Sequence, residues 1–207
     1  MPYRNRVTPL GEIVAIPARG RWMGNRGCIH RGTDIVRPWQ VRRWIICATE
    51  FRGRHYVQWR PGRWTALFFH DEAVAMAAGH RPCAECRREA YNRYRDAWLA
   101  AFGAWGGVDE TDRRLHADRV DGRRQQRHHS RQWGELPDGA FVVHGGIPAL
   151  VWQAEIRPWT VDGYGAAVAR PVTGDATVIT PAATVEVLQY GYRPDVADAA
   201  RAPSCNR

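Results

Sequence analysis

The chain has no lysine: all 30 of its basic residues are arginine, set against 21 acidic residues for a net charge of +9. Every cationic contact it makes must therefore come from a guanidinium or a histidine. Long apolar runs are also missing, and none approaches the length needed to cross a bilayer. The charged start, Met1 to Arg6, has no apolar segment behind it of the kind a secretory signal carries. These absences lead us to expect a cytoplasmic protein with no membrane partner. There is no Walker loop, no nucleotide-binding glycine fingerprint, no Gly-x-Ser-x-Gly elbow and no His-Glu-x-x-His signature, so the common nucleotide, serine-hydrolase and zincin chemistries have no motif to stand on. Cysteine is scarce and odd in number, five in 207 residues. In a reducing compartment that argues against a disulfide framework and strengthens a metal reading over a redox dithiol or a chance pair.

What is present is a globular composition, 44% hydrophobic with 10 tryptophans, in a chain long enough for one substantial core. The excess of arginine over acid has two readings. A high-GC genome substitutes arginine for lysine without functional cause, but that does not explain the net charge. Polyanion binding does, because guanidiniums grip phosphates bidentately and stack on bases. We expect nucleic acid as partner, DNA ahead of RNA.

The chemistry concentrates in Gly79-His80-Arg81-Pro82-Cys83-Ala84-Glu85-Cys86. A C-x2-C pair on a turn entering a helix can point two sulfurs at one tetrahedral ion, which reads as half of a Zn2+ site on Cys83 and Cys86. The upstream candidates for the other half are Cys28 and His30, close in sequence, with Cys47 as the alternative ligand; Cys47 sits in an apolar strand-like run where cysteine is also a common buried hydrophobe. Cys205, in a polar tail, is not expected to take part.

Phe68-Phe69-His70-Asp71-Glu72-Ala73 followed by Ala78 to Cys86 resembles the second half of the Ada-type metal-binding domain, the zinc module of bacterial DNA alkylation repair proteins. The resemblance covers about residues 68–88. It implies a zinc ion, two further ligands upstream and a context in DNA repair or processing. The methyltransferase Pro-Cys-His motif is absent. The chain as a whole also resembles an uncharacterised bacterial protein family sharing this knuckle, which implies no activity.

Hydrophobic periodicity predicts an α+β protein of two lobes. Residues 1–107 form a zinc-stapled, β-rich lobe with strands near 12–16, 41–49, 55–59 and 64–69 and helices over 71–78 and 84–102. Residues 108–135 form a basic polar connector. Residues 136–207 form a smaller lobe with a hairpin around His144-Gly145-Gly146, a helix opened by Thr180 as N-cap, and a tail. Arg52, Arg54, Arg60 and Arg63 fall in turns beside aromatic residues and are the nucleic-acid-binding candidates; the competing reading puts those aromatics in the core and the arginines in solvent. Glu110, His116 and Asp118, in the charged stretch 109–129, are the weak candidates for catalysis in a nuclease or base-modifying enzyme. A solvated helix is the competing reading there. A zinc-stabilised interaction module without nucleic acid is the third reading of the whole.

Overall fold

The computed structural model describes residues 1–53 and 56–197. Arg54 and Cys205 lie outside them. The first half contains β1 (Arg6–Val7), β2 (Ile13–Val14), β3 (Trp22–Asn25), β4 (His30–Arg31), β5 (Asp34–Ile35), β6 (Ile45–Cys47) and β7 (Leu67–Phe69), then α1 (Glu72–Ala77) and β8 (Arg81–Pro82). Two helices follow, α2 (Arg88–Phe102) and α3 (Val108–Arg119). The second half holds β9 (His129–Gln132), β10 (Phe141–His144), β11 (Ile147–Trp152), β12 (Glu155–Thr160), β13 (Gly163–Tyr164), β14 (Val168–Ala169), β15 (Asp175–Val178) and α4 (Ala182–Gln189). The architecture is α+β, as the periodicity predicts.

The strands make two main sheets. One runs β2-β1-β7-β3-β6-β8, and β8 joins it parallel to β6, with Ile45 opposite Arg81 and Ile46 opposite Pro82. The other is an antiparallel sheet ordered β13-β12-β11-β10-β15-β9, with β14 added against β12. Strands β3 and β6 approach so closely at Gly24 that a Cβ there would stand 2.1 Å from the Ile45 carbonyl oxygen. Only glycine fits at that point, and the contact sets Met23 opposite Cys47.

Helix α1 joins the two sheets. After Glu72 its sequence, Ala-Val-Ala-Met-Ala, is apolar, and every residue of the helix is buried. Ala75 and Met76 pack with Phe69, Ile46 and Tyr94, whereas Ala73, Val74 and Ala77 pack with Phe141 and Leu150 of the second sheet and with Ile179 just after β15. The first of these clusters also takes in Val187, Leu188 and Tyr192 from the C-terminal segment, so residues from both ends of the chain share one core. Asp71 caps α1 by accepting from the Val74 amide, and also accepts from Tyr164 Oη and the Ala197 amide. Glu72 accepts from Arg87, Tyr192 Oη and the Asp195 amide. Burial pushes the Asp71 carboxyl up, against the three hydrogen bonds that pull it down.

At its far end α1 is closed by Gly79 in the left-handed region, φ +87°, with the His80 amide returning to the Ala75 carbonyl and Gly79 to Met76. A Cβ on Gly79 would meet Arg119 Cδ at 2.4 Å. Two independent constraints thus fall on one residue. Gly79→Ala is expected to lower stability by about 1–3 kcal/mol, read from chemical denaturation, and a neutral result would show that α1 can end another way.

Several boundaries depart from the periodicity, each for a local reason. No strand forms over 56–59 among the described residues; Tyr56 stacks on Trp64 at 4.0 Å and Trp59 takes a positive φ of 61°, which interrupts extended pairing. Helix α2 begins at Arg88 rather than Ala84 because residues 84–87 are spent on the cysteine turn. Arg87 turns inward to Glu72 at 2.7 Å with its guanidinium over Trp22. Thr180 does not cap α4: its hydroxyl accepts from the Phe141 amide, and Pro181 takes the cap position.

Candidate metal centre and the arginine-rich surface

Three cysteines meet where β6 and β8 end together. The parallel register carries Cys47 to the end of β6, and the Cys83 amide donates to the Ile46 carbonyl at 2.9 Å, so the knuckle starts beside Cys47. The sulfurs of Cys47, Cys83 and Cys86 all lie within 4.8 Å of one another. The Glu85 amide donates to Cys83 Sγ and the Ala48 amide to Cys86 Sγ, both at 3.4 Å. Backbone N–H groups aimed at sulfur favour thiolate over thiol.

The electrostatics of the trio are lopsided. Cys83 is held far below the usual thiol range because Cys47 and Cys86 donate to it. Cys47 is driven up by its donations to Cys83 and Cys86 and by burial. For Cys86 the hydrogen bond with Cys47 works downward, but donation to Cys83 and burial outweigh it, so the direction is up. One thiolate is stabilised by two thiols. A cation at the centre would let all three ionise, since its charge replaces the two protons. The donor set therefore fits a metal ion, with the three sulfurs as protein ligands.

Cys28 and His30 are not in this group. Cys28 follows the turn after β3, where its amide donates to Gln40 Oε1. His30 is buried, its Nδ1 shares a 2.6 Å hydrogen bond with Thr65 Oγ1, and its ring stands edge-on to Trp59 at 5.4 Å. Closeness in sequence put the pair forward, but the turn sends both toward the 56–65 segment.

Glu110, His116 and Asp118 share α3 without converging: no metal-capable group of three among the described residues includes them. Glu110 is exposed in the first turn. Asp118 Oδ2 accepts from the Ala183 amide and so caps α4. His116 packs edge-on against Trp39 at 4.5 Å and contacts Arg119, and burial with Arg119 and Arg42 nearby pulls it down to about 4. It is neutral near pH 7.

Arg52, Arg60 and Arg63 are exposed at turns. None of the three lines the open cleft of about 550 Å3 formed by Tyr3, Trp59 and Phe68 with Arg6 and Arg19, although Arg60 follows Trp59 in the chain. The Arg6 guanidinium lies 4.9 Å over the Phe68 ring. Trp44 takes no part in this cleft and is buried at 3% exposure.

The sequence reading missed a set of buried arginines. Arg26, Arg81 and Arg119 are each 2% exposed or less. Arg81 makes a bidentate pair with Asp112, Nε to Oδ1 at 2.9 Å and Nη2 to Oδ2 at 2.7 Å. Arg26 and Arg119 each place a guanidinium 4.0 Å from the Trp44 ring.

No family model matches the chain, and neither a curated protein nor a solved structure does. No helix among the described residues is long and apolar enough to cross a membrane.

Proposed function

We propose that this is a zinc-containing nucleic-acid-binding protein, with DNA as the favoured partner and DNA repair or processing as its context. The metal's part is structural: three thiolates form a soft donor set suited to Zn2+, and they tie β6, β8 and the start of α2 together. The Ada-type resemblance of residues 68–88 supports the same assignment. The observation that carries the nucleic-acid reading is the cleft of Tyr3, Trp59 and Phe68 edged by Arg6 and Arg19, with exposed Arg60 following Trp59 in the chain. Aromatic faces supply stacking for unpaired bases, and guanidiniums at the rim supply phosphate contacts. On a chain of net charge +9, long-range attraction brings the polyanion to that surface.

Fluorescence anisotropy with a labelled single strand should show affinity falling linearly on a log–log salt plot, by about 0.7 in slope per phosphate neutralised. Arg60→Glu with Arg63→Glu should flatten that slope with the fold intact. Trp59→Ala should weaken binding by about 1–3 kcal/mol for a stacked base while leaving the slope in place. Absence of binding at low salt to single-stranded DNA, duplex DNA and RNA alike would remove the proposal.

A further inference from the structure

A cavity of about 60 Å3 lies between the loop bearing Gly11, the Pro38-Trp39 turn and the C-terminal end of α3. Arg26, Arg119, Trp39 and Gln126 line it, and exposed Arg124 forms its lip with the guanidinium 4.5 Å over Trp39. No acidic side chain among the described residues lines it. Four polar atoms are buried around it without a hydrogen-bond partner among the described residues: Arg26 Nη2, Arg119 Nε, Trp39 Nε1 and Gln126 Oε1.

The rest of each group is fully engaged. Arg26 donates Nη1 to the Gly11 carbonyl at 3.0 Å and Nε to His80 Nε2 at 3.4 Å. Arg119 donates to the Gly79 and Arg42 carbonyls. Gln126 Nε2 donates to the Pro9 and Ala77 carbonyls, both at 3.0 Å, which fixes its Oε1 as the free end. A Cβ built on Gly11 would stand 3.8 Å from both Arg26 Nη2 and Gln126 Cδ, so the guanidinium and the amide border the same spot. Carbonyls and a neutral histidine satisfy hydrogen bonds but not charge. Among the described residues Arg26 has no carboxylate partner, and Asp112, the carboxylate acting on Arg119, is already paired with Arg81. Burial alone pulls Arg26 down to about 9, and a buried, uncompensated cation is costly unless a counter-ion accompanies it.

We infer that this cavity is a binding site for one small oxyanion, specifically a protonated phosphate group, held by Arg26 Nη2, Arg119 Nε and Trp39 Nε1 and donating its own hydroxyl to Gln126 Oε1. Three donors and one acceptor match hydrogen phosphate better than sulfate or chloride, which have no proton to give the amide oxygen. Water fills the hydrogen bonds but leaves the charge. The volume admits a single tetrahedral ion and excludes a nucleoside. The phosphate comes either from free inorganic phosphate or from the phosphorylated end of a strand reaching past Arg124.

The test uses full-length metal-loaded protein exchanged into phosphate-free buffer with a bulky organic counter-ion. Thermal unfolding and calorimetric titration with inorganic phosphate should show saturable stabilisation, with sulfate at least tenfold weaker and chloride weaker still. Trp39→Phe keeps the ring against His116 and removes one donor; it should fold normally and bind phosphate several-fold more weakly. Gln126→Glu places a carboxylate in the cavity and should abolish the phosphate response. A 5′-phosphorylated oligonucleotide that competes with inorganic phosphate, where its unphosphorylated twin does not, identifies a strand end as the source; competition by neither assigns the free ion. Equal, non-saturating responses to all three anions, or a phosphate response unchanged in both variants, overturn the inference. Loss of nucleic-acid binding leaves it standing, because the inorganic-phosphate titration reads the cavity alone.

Discussion

Cys83→Ser is expected to abolish stoichiometric metal binding and to lower the thermal midpoint by about 8–16 °C, corresponding to about 4 kcal/mol in a chain of this size. The cause is positional. The knuckle holds the ends of β6 and β8 and the entry to α2 at one point, and the peptide hydrogen bond from Cys83 to Ile46 is a single link in its place. Without the ion, only one of three adjacent thiols is favoured as thiolate. Cys47→Ala should match Cys83→Ser, whereas Cys28→Ala and His30→Ala should keep the metal. Acidification acts in the same direction as the mutations, since protons compete with the ion for sulfur, so metal release should grow as pH falls. Elemental analysis of protein purified without chelator reads the metal content of each variant, and thermal unfolding reads the shift in midpoint. Full metal in Cys47→Ala together with its loss in Cys28→Ala would move the site to the upstream pair.

How much of this centre could be read from the sequence depended on how local the geometry is. Cys83 and Cys86 were legible because their spacing and the turn at Gly79 to Pro82 fix them within one short segment. Cys47 was only an alternative, since what brings it in is the parallel pairing of Ile45 with Arg81, a long-range register that no periodicity encodes. Cys28 and His30 looked like a pair because they are neighbours in the chain, and neighbours in a turn need not face the same way.

The charged stretch in α3 shows the opposite failure. Its buried stripe is Thr111, Asp112, Leu115 and Arg119, helical in spacing yet mostly polar, so a hydrophobic pattern search sees a solvated helix. Arginine reads as surface by default. Here the default fails because carbonyls, Asp112 and the Trp44 ring receive the guanidiniums one by one.

Replacing Asp112 with alanine is the sharpest test of that buried network. Arg81 and Asp112 are 2% and 3% exposed, and their paired hydrogen bonds are the only direct carboxylate contact Arg81 has among the described residues. Removing the carboxylate leaves a cation in the interior, a loss of about 3–5 kcal/mol for a pair of this kind. Because Arg81 lies on β8 immediately before Pro82 and Cys83, the same variant should surrender its metal to a chelator faster than wild type does. Arg43 also approaches Asp112, at 3.7 Å, but its side chain is 56% exposed; Arg43→Ala should cost less than about 1 kcal/mol. The double replacement Arg81→Met with Asp112→Leu separates charge from shape, since removing both partners deletes the uncompensated ion and keeps the volume filled. It should recover most of the loss. A double mutant no more stable than Asp112→Ala would mean that the hydrogen-bonding shape of the pair, rather than its charge balance, holds α3 against β8.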